Sequence, residues 1–386
     1  MSNRKSLTLG ESNVSLLSAL GGMTAAALLM MSAVFIYSAA TDGKDLSATS
    51  AYVWLTYGAT QAFMIIGAAF YLLVLRKANI LKLFDFGASD LTPQKTLLLP
   101  FISVGAILAF SPLADLFLYV LSLIGYNPAE QAIFPEGISA ATFLLMTFFV
   151  AVIPAVFEEI LFRGALLNGA RRRGSFFAVI YTAAIFMIFH GNPMQTVHQF
   201  LLGLVLGYVA VTTGKIVYGV ILHFLNNLIA LLTVFIPFGG MTVTGLAVMY
   251  VIWIIAGAFI LTVSLKTFKK LNDADIQKRC GLIDKNQSVS LLKELKAAVS
   301  GLKDTARFAV GLLVKGGAFK AAAEEFNAKY DPLNKFDEEI GNDVIFIFED
   351  KNGDKNAAKL PASTWILTGA CALLWLTSFV LGFFGA

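Results

Sequence analysis

Apolar runs of roughly 20 residues recur along the chain, and each is long enough to cross the hydrocarbon core of a bilayer as a helix. They fall at about 15–40, 51–75, 98–125, 138–167, 175–191, 195–213, 216–236, 244–265 and 362–384. The fifth and sixth are shorter and are expected to sit tilted or part-way through. Helix is the only reading available, because an open strand in lipid leaves backbone N–H and C=O groups unpaired. The expected fold class is therefore all-α, a polytopic membrane helical bundle of about eight to nine transmembrane helices. Composition agrees: 57% of the 386 residues are hydrophobic and only 14% are charged, against about 25% charged in soluble domains. A soluble enzyme is excluded. A nucleic-acid binder is excluded too, since the net charge of +4 is not gathered on one polar module. Cys280 and Cys371 lie far apart with no CxxC or Cys/His cluster, so neither a disulfide framework nor a structural zinc site is expected. The first apolar run is too long for the h-region of a signal peptide.

Lys and Arg between the runs set the orientation. If every run crosses, Arg4, Lys5, Arg76, Lys77, Lys82, Lys95, Arg171, Arg172, Arg173, Lys215 and the segment beginning at Lys266 share one side. The opposite loops carry Lys44 alone. The expectation is a multi-pass cell-membrane protein with its N-terminus cytoplasmic and its C-terminus outside.

Three regions are expected: an intramembrane bundle over 1–265, a cytoplasmic segment over 266–360 of amphipathic and α+β character, and a C-terminal transmembrane helix over 361–386. The middle segment forms a cytoplasmic, α-rich insertion before the last span and holds 17 of the 29 Lys and Arg residues. Leu291, Leu292, Leu295, Val299, Leu302, Ala306, Val310 and Leu313 recur at helical spacing, with Lys293, Lys296, Lys303 and Arg307 among or opposite them. Such a helix can lie on anionic lipid, dock a partner, or belong to a small subdomain. Val344–Phe348 reads as a strand, followed by a turn at Lys351–Asp354. Asp350–Asp354 resembles the start of a calcium loop but lacks its sixth-position Gly and twelfth-position Glu, which favours a plain turn. No internal repeat is visible, against a secondary transporter.

Ionisable groups inside the apolar runs are costly and so mark function. Glu158, Glu159 and Arg163 lie in the fourth run. Glu159 and Arg163, four apart, share a face and can pair, while Glu158 points about 100° away and stays free to face a pocket. His190 ends the fifth run in Phe186-Met-Ile-Phe-His190, and His223 and Asn227 share one face of the seventh. Depths along straight helices are roughly 15 Å for Glu158, 22 Å for His190, 10 Å for His223 and 16 Å for Asn227 from the cytoplasmic end, so tilt can bring them to one cavity. His198 is expected at the outer interface, away from that level. Asp115, mid-span in the third run, needs a partner that the sequence does not name.

A carboxylate, two imidazoles and a carboxamide form a hydrolase constellation. Glu158 can take a proton from water, with His190 orienting it, while His223 and Asn227 donate to a developing oxyanion. Alternatively Glu158, His190 and His223 could hold a zinc ion. No GxSxG motif or paired Cys/His competes.

Glu158-Glu159-x-x-x-Arg163, Phe186-x-x-x-His190 and His223-x-x-x-Asn227, in that order on three spans, resemble the three motifs of the CPBP intramembrane proteases. That family includes the type II CAAX prenyl endopeptidases and bacterial Abi proteins, and the likeness covers about 140–240. It implies intramembrane endopeptidase activity on a membrane-associated peptide, prenylated or of bacteriocin or signal type. It implies Glu158 and His190 as water activators, His223 and Asn227 as oxyanion donors, and Glu159 with Arg163 as a supporting ion pair. Both zinc-dependent and metal-free mechanisms have been argued for the family, so a zinc cofactor stays open. The segment 266–360 and the ninth run lie outside the usual core of about eight spans, and that segment can carry a partner site. The remaining partners are membrane lipid and the peptide substrate. A non-catalytic scaffold or immunity factor on the same fold is the alternative.

Overall fold

The computed structural model describes residues 7–78, 91–128, 139–236, 241–279, 290–302 and 360–384, and every regular element among them is a helix. In chain order these are α1 (Leu9–Ala40), α2 (Ser50–Leu75), α3 (Pro93–Leu123), α4 (Ala140–Arg173), α5 (Ser175–Phe189), α6 (Thr196–Thr213), α7 (Ile216–Leu232), α8 (Val243–Arg279), α9 (Leu291–Ser300) and α10 (Ala362–Gly382). Seven of them are long and apolar enough to cross a membrane: α1 to α4, α6 together with the short turn before it, α8 and α10. The chain is a multi-pass membrane protein. The two shorter apolar helices are α5 and α7, with 15 and 17 residues. At 1.5 Å per residue they span roughly 22–26 Å. These two helices carry the FxxxH and HxxxN motifs, and they need not match the bilayer because much of their surface packs on other helices.

Local chemistry sets the helix ends. The Thr8 side chain accepts from the Glu11 backbone N–H while the Glu11 carboxylate accepts from the Thr8 N–H, a reciprocal cap that starts α1. Ser139 and Ser290 cap α4 and α9 one-sidedly, accepting from the N–H of Thr142 and Lys293. In lipid no hydrophobic drive separates helix from tail, so close backbone approach decides which helices pair. The most extensive pairing, α3 on α8, rests on Gly105 and Gly257. A Cβ on Gly257 would lie 2.4 Å from the Ala109 nitrogen, and one on Gly105 would lie 2.7 Å from that of Leu261.

Helix α8 does not stop at residue 265, where the apolar run ends. It continues to Arg279 and buries Phe268 and Leu271 in the same cluster as Ile102, Leu206 and Tyr218. One end of the bundle is closed by buried polar groups. Lys95 pairs with Asp275 at 2.7 Å, Asn272 donates to Thr212 O at 2.7 Å, Arg171 donates to Val211 O at 3.3 Å, and Asn168 Oδ1 accepts from the Leu7 N–H at 2.9 Å. Glu11 and Arg76 add an ion pair between α1 and the end of α2. Helix α9, the described start of the amphipathic stretch, lies against α8 and is fastened by Lys266 Nζ donating to Gly301 O at 2.9 Å. The expected strand, turn and calcium-like loop at 344–354 lie outside the described residues. Helix α10 packs on α1 and α5. Asn13 donates to Thr364 Oγ1 at 2.8 Å and accepts from the Tyr181 hydroxyl at 2.9 Å, while Trp375 Nε1 donates to Thr196 Oγ1 at 2.8 Å.

Candidate active site

Helix α4 is irregular where it carries the carboxylates. An α-helical turn, Ile153–Glu159, lies between two π-helical stretches, Thr147–Val152 and Ile160–Leu166. Insertions of this kind redirect side chains and concentrate at functional sites. Pro154 supplies part of the reason: it brings no N–H to the carbonyl of Val150 one turn back. Asn227 Nδ2, from α7, donates to that carbonyl at 3.3 Å. The proline thus ties the HxxxN helix to the helix of the two glutamates.

Glu159 and Arg163 form the ion pair expected from their spacing, at 2.7 Å, and both are fully buried. Arg163 also donates to Gly203 O at 3.3 Å, reaching α6. The same Glu159 oxygen lies 3.1 Å from His223 Nδ1. A carboxylate already paired with arginine can only accept, so Nδ1 carries the hydrogen and Nε2 of His223 is turned to the cavity. Gly219, one helical turn before His223, makes this approach possible. A Cβ there would lie 2.5 Å from Glu159 Oε2.

His190 is fixed by its own helix. Its Nδ1 is 2.6 Å from Phe186 O, and since a carbonyl only accepts, Nδ1 bears the hydrogen and Nε2 is left as the inward atom. The Phe186 ring meets His190 edge-on with centroids 4.6 Å apart, meets His223 at 5.8 Å, and lies 4.7 Å from the Arg163 guanidinium carbon. The phenylalanine of FxxxH therefore orients both imidazoles and covers the arginine.

These fittings converge on Glu158. It is 9% exposed, and its Oε2 is shut off from solvent with no hydrogen-bond partner among the described residues. His190 Nε2 lies 3.6 Å from that oxygen and His223 Nε2 lies 4.0 Å from it. The first gap is just beyond a direct hydrogen bond, and both leave room for a small bridging group. Glu158, His190, His223 and Asn227 line one cavity of about 610 Å³. A leaving peptide group or a water molecule would meet all four there.

His198 and Asn226 line this cavity as well. His198 does not sit at a separate interface level: its Nε2 is 3.3 Å from Asn226 Nδ2, and its ring lies edge-on to Phe110. Asn226 is 2% exposed, and its Oδ1 has no partner among the described residues. Depth counted along straight helices misplaced His198, because the cavity extends to the ends of α5 and α6. The adjacent asparagines were the available signal for Asn226, since i and i+3 share a face with His223 as i and i+4 do. Asp115 also lines the cavity, and its missing partner is the Tyr250 hydroxyl of α8, which donates to it at 2.6 Å.

The donor chemistry of Glu158, His190 and His223 suits zinc, since both rings turn Nε2 inward and give Nδ1–H to an acceptor. Their spacing does not. Bonds of about 2.0–2.1 Å to a tetrahedral ion put neighbouring donors roughly 3.3 Å apart, and the glutamate-to-imidazole gaps are wider than that. Among the described residues no group of three or more His, Cys, Asp or Glu side chains is arranged to hold a metal ion.

Helix bundle and site together define a membrane protein with a carboxylate, imidazoles and carboxamides gathered around one interior cavity. Residues 140–229, from the start of α4 to near the end of α7, match the family model described as type II CAAX prenyl endopeptidase Rce1-like. The likeness to the CPBP family of intramembrane proteases lies in that segment, which is less than a quarter of the chain. No curated protein and no solved structure matches the chain.

Proposed function

We propose that this protein is an intramembrane endopeptidase that hydrolyses a peptide bond of a membrane-associated polypeptide, with Glu158 as the general base. The observation that carries the reading is the unpartnered, buried Glu158 Oε2 facing the Nε2 atoms of His190 and His223 at the base of a cavity. Burial of an unsatisfied carboxylate oxygen costs free energy unless something binds it. Water answers that need, and water is the second substrate of hydrolysis.

The steps follow from the donor and acceptor assignments. Water donates one hydrogen to Glu158 Oε2 and the other to His190 Nε2, which has no hydrogen of its own. As its oxygen bonds to the carbonyl carbon, its proton moves to Glu158 and the carbonyl electron pair moves onto oxygen. His223 Nε2, Asn226 and the second amide hydrogen of Asn227 surround the position for that oxyanion. His223 donates there when its ring carries a hydrogen on Nε2 as well as on the Nδ1 held by the Glu159 carboxylate. Each such donor contributes about 3–4 kcal/mol to the transition state in comparable sites. The C–N bond then breaks, and Glu158 returns its proton to the departing amine. The products are one new carboxyl end and one new amino end.

The test is cleavage by purified protein in detergent or liposomes, comparing wild type with Glu158→Gln and His190→Ala. Both variants are expected to insert and accumulate normally and to lose cleavage. Cleavage that survives both changes ends the enzyme reading. A cellular phenotype that follows protein abundance but not Glu158 would point to a binding role on the same fold.

A further inference from the structure

We infer that the site opens on the non-cytoplasmic face, and that it takes polypeptide arriving from that side along a polar groove on α2. The inference rests on the proteolytic reading for its chemistry but not for its geometry. The two ends of the bundle differ in charge and in closure. One end gathers Lys77, Lys95, Arg171, Lys215 and Lys266, whereas the loops at the other carry Lys44 alone. Lys and Arg mark the cytoplasmic ends of spans. That basic end is also the sealed one: Lys95, Arg171, Asn168 and Asn272 are buried there, Lys95 donating to Asn272, Arg171 to Val211 O, and Asn168 accepting from the Leu7 N–H.

The cavity of Glu158 reaches the other end. Its lining passes from Glu158 outward to Met194, which is 39% exposed, to exposed Gln195 in the turn after His190, and to exposed Asp115 on α3. Tyr57 and Gln61 of α2 line it too, and the same two residues line a second cavity of about 430 Å³. This second cavity runs from Ser47, in the loop beside Lys44, past Tyr52, Thr56 and Thr60. The Thr56 hydroxyl oxygen and the Gln61 carbonyl oxygen are shut off from solvent and have no partner among the described residues. Tyr52, Thr56 and Thr60, at spacings of four, share the face of α2 turned to this second cavity, and a polar face of this kind suits an extended peptide.

The substrate class follows. A segment lying outside the cytoplasm, with an extended and polar stretch leading to the scissile bond, can reach Glu158. A prenylated C-terminus in the cytoplasm meets the sealed end. The α2 groove would hold the flanking stretch while the bond to be cut lies between Glu158 and the amides of α7.

Sidedness is decided by labelling intact cells with a membrane-impermeant maleimide. Lys44→Cys, Met194→Cys and Lys77→Cys are each placed in a Cys280→Ser background, with total reactive thiol measured after permeabilisation. Lys44→Cys and Met194→Cys are expected to react on intact cells, and Lys77→Cys only after permeabilisation. Reaction of Lys77→Cys on intact cells, or of Met194→Cys only after permeabilisation, overturns the inference. Right-side-out and inverted vesicles are then given an impermeant quenched-fluorescent peptide library. Cleavage that depends on Glu158 is expected from right-side-out vesicles. The same cleavage confined to inverted vesicles would overturn the inference and leave the protease reading standing. No cleavage in vesicles or detergent would count against the protease reading, while the labelling still decides the side. Thr56→Trp fills the groove and is expected to lower cleavage on the order of tenfold with abundance and Met194→Cys labelling unchanged. Undiminished cleavage would remove the groove from the path.

Discussion

Glu159 shows how one buried carboxylate can serve two cations: its Oε1 meets Arg163 at 2.7 Å and His223 Nδ1 at 3.1 Å. Removing one member of a buried pair leaves the other uncompensated and costs about 3–5 kcal/mol. Arg163→Leu is therefore expected to lower stability by about that amount, read as a loss of folded protein in a thermal or denaturant assay in detergent. It should also free the Glu159 carboxylate and let His223 shift. An unchanged melting profile would mean that the pair contributes nothing net. At the same scale, the donors around Glu158 lie wider than a zinc tetrahedron, so cleavage by purified protein is expected to persist after chelation. Activity lost to chelator and restored by zinc alone would show that the three side chains close onto an ion. The pairing of Glu159 with Arg163 was legible from their spacing of four. The double duty of Glu159 was not, because His223 lies 64 residues away and nothing local announces which carboxylate it will meet.

Among the elements, α4 and α7 matter most, and their contact depends on one missing side chain. Gly219 presents bare backbone to Glu159 Oε2, where a Cβ would come within 2.5 Å. Gly219→Ala is expected to push the carboxylate off His223 and Arg163 and to reduce kcat on the order of 10²-fold, as loss of an oriented polar partner does elsewhere. KM is expected to change little beside kcat. A kcat within a factor of about two of wild type would show that α7 can yield. The helices themselves were plain from the apolar runs, because bilayer thickness fixes their length. Their inner form was not. Two π-helical stretches in α4, and the use of the Val150 carbonyl beside Pro154 to anchor Asn227, depend on tertiary contacts that periodicity does not record. His198 was misjudged for a related reason: counting residues along a straight axis locates depth but not the lateral reach of a cavity.

Across the whole molecule, the matched segment 140–229 does not stand alone. Helices α1 and α2 lie on one side of it, α3 and α8 on another, and α10 against α5 next to the turn that follows His190. Trp375 holds Thr196 at the start of α6, and the Cβ of Leu374 lies 3.7 Å from where a Cβ on Gly191 would be. Trp375→Phe keeps an aromatic ring but loses the indole N–H, so it is expected to loosen the 190–196 turn and lower cleavage severalfold with little change in abundance. Faster hydrogen exchange across 190–196, measured by mass spectrometry, would accompany it; an unaltered exchange pattern with full activity would separate α10 from the chamber. The charge asymmetry between the ends was readable from Lys and Arg alone. Which end is shut could be seen only once Lys95, Asn168, Arg171 and Asn272 were found buried there. The attachment of α10 has a consequence for biosynthesis. Residues 362–382 emerge from the ribosome after every residue that lines the chamber, so the wall beside His190 is completed late. A chain still being translated would hold its glutamates and histidines in an unfinished enclosure, and the cell would be spared an active hydrolase during insertion.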